Sequence, residues 1–370
     1  DNVSTCGFDS GEGAYSGGGC GGTSGLPDGK TSLREAVIVA NNHPGHDIIH
    51  FNIPETDAGY IQPAGSVQGY FVISATSTLT LSDDSGVFIN GYSQSGSLRN
   101  TSDFGEAINT VLKLQINPQN VYNNIFNIIS DNNHISGLSM FDRSSAVLVF
   151  DVANNNWSDG NFLGSDILGM IALGDGQNNL TNGSIHNIFG TNGDGSGDSG
   201  ERNLFHGSSS QYKILFGNSG DNSNNIIAGN YFGTDKTGRV CNAASQGRAM
   251  IRLLSGGSNR VGTNVDGISD SEESNILGCV NFNARGVIDL ATSSSVIQGN
   301  YIGTNPYGDA LSAFVITGIR EQAAMDDTII RGNIIRFNGD SGIKFSQANT
   351  KRITYIQNLI YDNYVVDIEL

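Results

Sequence analysis

Two acidic loops hold the residues best placed to do chemistry. Asn192-Gly193-Asp194-Gly195-Ser196-Gly197-Asp198 with Glu201 and Asn264-Val265-Asp266-Gly267-Ile268-Ser269-Asp270 with Glu273 match position by position at a step of 72. Oxygen-bearing side chains alternating with glycine suit calcium, which takes roughly six to eight oxygens from a loop folded back on itself. Asp194, Asp198, Glu201, Asp266, Asp270 and Glu273 are therefore the candidate metal ligands, with calcium as the candidate cofactor. The same residue types also build tight turns without an ion, because Asp and Asn side chains bond the backbone two residues on.

Carbohydrate chemistry asks for different constellations. Glycoside hydrolysis needs two carboxyl groups facing each other across a sugar bond, but Asp83-Asp84 and Asp326-Asp327 lie far apart and read as solvated turns. A lyase needs a base beside a metal-neutralised carboxylate, for which Arg252 and Lys344 are conceivable. Strand registers place Lys213, Arg252, Asp289, Lys344 and Asp367 on one outward face, so the spacing predicts cross-rung pairs of Arg252 with Asp289 and of Lys344 with Asp367. His43, His46 and His50 straddle a turn and a strand start and share no face. Trp157 is the single tryptophan; it suits stacking on a sugar or packing at a corner. No residue is assigned a catalytic role.

These loops need a scaffold, and the composition narrows which. Fifty Gly and only six Pro in 370 residues, with 15% charged residues, favour an all-β chain of many tight turns. A formal charge of −17 opposes binding to nucleic acid or an anionic membrane. No apolar run is long enough to span a membrane, and no charged-then-apolar leader opens the chain, so a processed, secreted product is expected. Cys6, Cys20, Cys241 and Cys279 form no C-x-x-C pair and suit an oxidising compartment, with Cys6–Cys20 and Cys241–Cys279 as the expected disulfides.

Self-comparison shows what carries the loops. Gly160-Asn161-Phe162-Leu163-Gly164 returns as Gly229-Asn230-Tyr231-Phe232-Gly233 and Gly299-Asn300-Tyr301-Ile302-Gly303, at steps of 69 and 70. Related segments bring the column to seven: Asn161, Asn203, Asn230, Asn275, Asn300, Asn333 and Asn358. Two residues after each comes a large apolar side chain, from Leu163 and Phe205 through Phe232, Leu277 and Ile302 to Ile335 and Ile360, and Met140 fits the same slot. Period-2 logic puts that column inside. A second strand set follows, including residues 170–173, 212–216, 250–254, 287–290, 314–319, 343–345 and 365–370. Constant strands with variable spacing describe a solenoid whose insertions leave at corners. Stacked coils bring each Asn within about 4.8 Å of the next, close enough for amides to bond along the axis.

Ser32-Leu33-Arg34-Glu35 has the spacing of a capping box, and Leu33, Ala36, Val37 and Ala40 then share a helical face. This short helix is expected to close the first coil. Thr31-Ser32-Leu33-Arg34-Glu35-Ala36 resembles the C-S-L-R-E-A segment that opens many bacterial secreted and surface right-handed β-helix repeat proteins, with Thr31 in place of Cys. Phe88-Ile89-Asn90-Gly91-Tyr92-Ser93-Gln94, Gly229-Asn230-Tyr231-Phe232-Gly233-Thr234-Asp235 and Val261-Gly262-Thr263-Asn264 resemble the same proteins. The resemblance implies the fold, secretion and membership in large modular surface proteins, and no single reaction.

The reading is thus an all-β, right-handed, single-stranded parallel β-helix with a short N-terminal capping α-helix. Residues 1–50 form the Gly-rich segment and cap, and residues 51–370 one continuous β-helix. The expected function is a non-catalytic extracellular scaffold, adhesin-like or filament- or matrix-forming. The alternative is a polysaccharide-active enzyme, lyase or glycoside hydrolase, or a carbohydrate-binding β-helix. Expected partners are glycans and, through an open C-terminal coil, other copies or a following domain.

Overall fold

The computed structural model describes residues 31–63, 69–118, 124–142, 146–207, 212–241, 248–280, 285–311, 316–345 and 347–369. Cys6 and Cys20 lie outside the described residues. The helix Leu33–Ala40 begins at the expected capping box: the Ser32 hydroxyl accepts from the Glu35 amide, and the Glu35 carboxylate accepts from the Ser32 amide at 2.8 Å. Leu33, Ala36, Val37 and Ala40 are buried. Arg34 donates to the carbonyls of Ser77 and Thr78, and Asn41 to that of Thr80. The helix is thereby fastened across the first coil, covering apolar surface and strand edges that an open end would expose.

The remainder is a right-handed parallel β-helix of three sheets with 10, 11 and 10 strands. The first sheet runs from Asp47–His50 to Thr354–Ile356, the second from Tyr60–Ile61 to Leu359–Tyr361 and the third from Leu79–Leu81 to Ile368–Glu369. Because Asp47–His50 already pairs with Val87–Asn90, the stack starts before residue 51. Pairing is parallel apart from the small antiparallel contact of Tyr60–Ile61 with Tyr70–Ala75. In the second sheet Met140, Leu163, Phe205, Phe232, Leu277, Ile302 and Ile335 are register neighbours and fully buried. Their alternation follows the pleat, which sends every second side chain inward.

The third sheet departs from the spacing-based expectation where insertions intervene. A strand over residues 170–173 is expected, but the strand is Asn178–Thr181. Residues 164–174 instead form an antiparallel finger closed by Ser165 and Ala172, with Met170, Ile171 and Leu173 exposed. Equivalent fingers close at Thr234 with Cys241 and at Thr304 with Ala310. The strands expected over 314–319 and 365–370 are Thr317–Glu321 and Ile368–Glu369.

Two corners repeat one device over successive coils. The seven Asn of the column stand one coil apart; from Asn203 on, each side-chain oxygen accepts the backbone amide of the Asn before it at 2.9 to 3.3 Å, and Asn161 accepts that of Leu138 at 3.0 Å. A second ladder, Asn133, Asn156, Asn187, Asn225 and Asn259, does the same at 2.7 to 2.9 Å. Each of its members follows a residue with φ between 55° and 61°, namely Asn132, Asn155, His186, Asn224 and Ser258. A left-handed residue turns the chain, and the Asn amide then satisfies backbone groups that the sharp corner leaves outside the sheets.

One long insertion changes the outside of the molecule. Between the first-sheet strand Val87–Asn90 and the second-sheet strand Leu114–Pro118, residues 94–113 form a strap lying along the second sheet's outer face. The outward column there is Phe162, Leu204, Tyr231 and Ile276, all buried in a second apolar layer with Ile108 and Leu112 of the strap, Ile167 and Leu311 of the fingers, and Cys279. A disulfide joins Cys241 to Cys279 within this layer.

Candidate functional site

A group of ionisable side chains sits where the strap crosses the corner between the first and second sheets. Asp159, fully buried, receives Arg99 Nη1 at 2.7 Å on one oxygen and approaches His134 Nε2 at 2.5 Å with the other. The Arg99 guanidinium lies 4.4 Å from the Tyr92 ring centroid, and the Tyr92 hydroxyl donates to the Gly160 carbonyl at 2.8 Å. Burial alone would raise Asp159, but the hydrogen bonds and charges of His134 and Arg99 outweigh it and hold the carboxyl below its usual range. One residue before Arg202, Glu201 goes the other way. Burial pushes it up to about 7, with Asp159 and Asp198 adding to the rise and hydrogen bonds from Thr191 and the Asn192 amide opposing it.

Two neighbouring carboxyls of opposite proton affinity are the pattern of an acid and base pair. Access decides what this pair can do, because a general acid must come within hydrogen-bond reach of its substrate. Asp159 and Glu201 are both buried, and Arg99 bridges from the strap to Asp159 and to the Gly200 carbonyl. The strap's further ties run in the same direction. Asn100 donates to the Ser199 carbonyl, the buried Arg202 to the Ser102 carbonyl and, at 2.5 Å, to Glu272, which in turn accepts the Phe104 amide. Farther along, the Tyr231 hydroxyl accepts the Gly105 amide, and Tyr307 meets Glu106. This strap and its ionic clamps carry no sequence period; the long stretch without a strand pattern after Asn90 is their only trace.

The acidic loops share a hydrogen-bond pattern as well as a sequence. Asn192 and Asn264 accept the amides of Asp194 and Asp266, and those Asp accept the amides of Ser196 and Ile268. Asp198 and Asp270 accept from Gly195 and Gly267, and Glu201 and Glu273 accept from Asn192 and Asn264. Glu273 also pairs with Arg260 at 2.7 Å. Two coils apart, the loops touch: a Cβ on Gly193 would lie 2.1 Å from a Glu273 carboxylate oxygen. Among the described residues no three His, Cys, Asp or Glu converge as a metal site.

The outward charges on the third sheet pair differently from the spacing-based expectation. The register column is Leu215, Arg252, Asp289, Arg320, Lys344 and Glu369. Lys344 therefore pairs with Glu369 at 2.8 Å, not with Asp367, which precedes the strand. Arg252 faces Asp289 in register, but its guanidinium bonds the Tyr212 hydroxyl, and the ion-pair partner of Asp289 is Arg285 at 3.7 Å. Lys213 is wholly buried, donating to the Gly207 carbonyl, and burial pushes its pKa down to about 8. Of the histidines, His43 lies 3.0 Å from Asp47. Asp326 and Asp327 both pair with Arg352. Trp157 stacks on His134 with ring centroids 4.5 Å apart and donates to the Gly190 carbonyl, so its role is packing.

No protein-family model matches the chain. It is similar to outer membrane protein B of Rickettsia japonica, 28% identical over 320 residues that cover 79% of this chain and 17% of the relative, so it spans a small part of that protein's length. Among solved structures it is similar to an alginate lyase from a Paenibacillus species, at 11% identity and TM-score 0.40 over 92% of this chain and 98% of that one. It is also similar to PfbA, a surface adhesin of Streptococcus pneumoniae, at 13% identity and TM-score 0.37 over 91% of this chain and 88% of that one. At these identities and scores neither likeness bears on what the chain binds.

Proposed function

We propose that this chain is a non-catalytic module of a secreted or cell-surface protein, an adhesin-like scaffold that presents its outer faces to partners. The carrying observation is the use made of this ionisable cluster: Asp159 and Glu201 are buried, Asp159 pairs with the strap's Arg99, and Ser199, Gly200 and Arg202 beside Glu201 bond the strap. Charge that is built into a join holds shape and is withheld from chemistry. The relation to an outer membrane protein supports the surface location. Leu359, Val365 and Ile368 are exposed apolar groups, a surface of the kind that partners cover.

The polysaccharide-active alternative has one observation in its favour, the opposed proton affinities of Asp159 and Glu201. Incubation with neutral and acidic polysaccharides, followed by assay of reducing ends and unsaturated products, separates the two readings. The scaffold reading expects neither product from protein that still binds a glycan or cell surface. Product release that disappears in Glu201→Gln would establish the enzyme instead. Calcium at Asp194, Asp198, Glu201, Asp266, Asp270 and Glu273 is tested separately by melting in calcium and in chelator. A higher melting temperature with calcium would show that the loops take the ion, and an unchanged one would leave the turn bonds as the whole reason for the repeat.

A further inference from the structure

The third sheet's outer face carries, over its later coils, a column unlike the rest of this acidic chain. The whole sequence has a formal charge of −17. Along the column, Arg252, Arg320 and Lys344 stand in register with Asp289 and Glu369, and Arg285 flanks them. Asp289 is buried: its Oδ1 accepts the Gly286 amide at 2.8 Å and the Gln322 side chain at 3.3 Å, while its Oδ2, which accepts no hydrogen bond among the described residues, lies 3.7 Å from Arg285. Lys344 is held by Glu369 and lies near Asp340. Arg320 is different. It is half-exposed, and among the described residues its guanidinium makes no hydrogen bond or ion pair, with Nη1 screened from water; Arg252 Nε is likewise screened and unbonded. A screened donor without an acceptor is costly, and an anion laid over it would remove that cost.

We propose that Arg252, Arg320 and Lys344 form a binding face for an acidic polysaccharide, whose carboxylate or sulfate groups meet successive coils along the helix axis. Coils stack at about 4.8 Å, so Arg320 and Lys344 stand on adjacent coils and Arg252 two coils before Arg320, across the buried Asp289, in one row along which a stiff linear polyanion can lie. The acidic loops leave the corner between the other two sheets. At physiological salt, charges beyond about 8 Å are largely screened, so the local cations outweigh the distant acidic surface. Arg supplies planar paired donors that match carboxylate and sulfate geometry. The inference rests on the reading of the chain as a binding module, and names its ligand class.

The test is retention of the full chain on immobilised polygalacturonate and chondroitin sulfate, with neutral dextran as control, for wild type, Arg320→Gln and the Arg252→Gln/Arg320→Gln pair. Wild type should be retained at low salt on the acidic matrices alone and released at high salt. Arg320→Gln should bind about ten- to hundredfold more weakly, with its melting temperature unchanged because it breaks no bond. Absence of retention, equal retention of the variants, or displacement by polyglutamate as effective as by the free polysaccharide would overturn the proposal. Binding to dextran or to cells that survives in the double variant would overturn the ligand assignment while leaving the scaffold reading intact. Cleavage of the matrix would instead overturn the scaffold reading.

Discussion

The second and third sheets are built from the same stack of short parallel strands, yet their outer faces are opposites. On the second sheet the outward column of Phe162, Leu204, Tyr231 and Ile276 is fully buried beneath the strap and fingers. On the third, the outward column of Leu215, Arg252, Asp289, Arg320, Lys344 and Glu369 is mostly charged and, apart from the buried Asp289, half-exposed, and has no second apolar layer among the described residues. The second sheet itself shows the cause. Past the strap's last aromatic contact, of Phe104 with Tyr301, its outward column opens, with Ile334 half-exposed and Leu359 57% exposed. A coil of this kind dictates only its inner face; the outer face takes its chemistry from whichever insertion lies over it. Each large apolar side chain under such a roof contributes about 1.5–3 kcal/mol, so the roof is a second core.

Breaking the roof should therefore cost far more than altering the bare face. Arg202 is buried, bonds the carbonyls of Gly229 and Ser102, pairs with Glu272 and lies over the Phe104 and Tyr231 rings. Arg202→Ala leaves the Glu272 carboxylate without its partner and should lower unfolding free energy by about 3–5 kcal/mol in urea titrations. On the third sheet, Arg320→Gln should stay within about 0.5 kcal/mol of wild type in the same titration. Equal losses at the two sites would abolish the distinction.

Replacing Cys241 and Cys279 together by Ser tests how far the fingers belong to the roof. The bridge spans 38 residues, and its loss should cost about 2–4 kcal/mol. Hydrogen exchange should then rise in residues 233–241 and along the strap before it rises in the inner core. Asn230→Ala is a control at the corner between the first and second sheets, away from the third. Asn230 accepts the Asn203 amide and donates to the Phe189 carbonyl, so its removal should cost about 1–3 kcal/mol whether or not the strap is in place.

What was legible in the sequence follows the same division. The Asn column, the inward Leu163, Phe205 and Phe232, and the capping helix rest on contacts that recur from coil to coil or lie within a few residues, so they leave a period or a local signature. The strap leaves neither: Glu106 meets Tyr307 201 residues away, and Phe104 meets Glu272 168 residues away. The Lys344 partner differs from the expected one by two residues because the last strand sits at Ile368–Glu369, inside the longer apolar stretch from Val365. Residues 170–173 looked like a strand because their apolar pattern is right for one; only the closure of the finger by Ser165 and Ala172 shows that they leave the sheet. Lys213 was read as outward, and only the packing around it reveals that it is enclosed.

The smallest effect offers the finest comparison, because two buried groups on either side of the second sheet respond to pH with opposite sign. Glu201, below the strap, has a carboxyl that burial pushes from 4.5 up to about 7. Between those values the folded chain keeps a proton that the unfolded chain has released. Its contribution is therefore fully present below pH 4.5 and lost as pH rises to about 7. His206, next to the second-sheet strand Leu204–Phe205 and facing Lys213 of the third sheet, is pushed by burial from 6.5 down to about 4, with the Lys213 charge adding to the fall. There the unfolded chain holds the extra proton, so stability increases as pH rises from about 4 to 6.5. Each slope is at most about 1.4 kcal/mol per pH unit, and over their shared window they oppose each other. Urea titrations of wild type should thus give a nearly level contribution from this pair between pH 4.5 and 6.5. In Glu201→Gln the falling component is gone, and stability relative to wild type should increase with pH across that window. A variant whose profile runs parallel to wild type would mean that Glu201 is ionised beneath the strap at neutral pH, and that the strap seals its corner less tightly than its hydrogen bonds indicate.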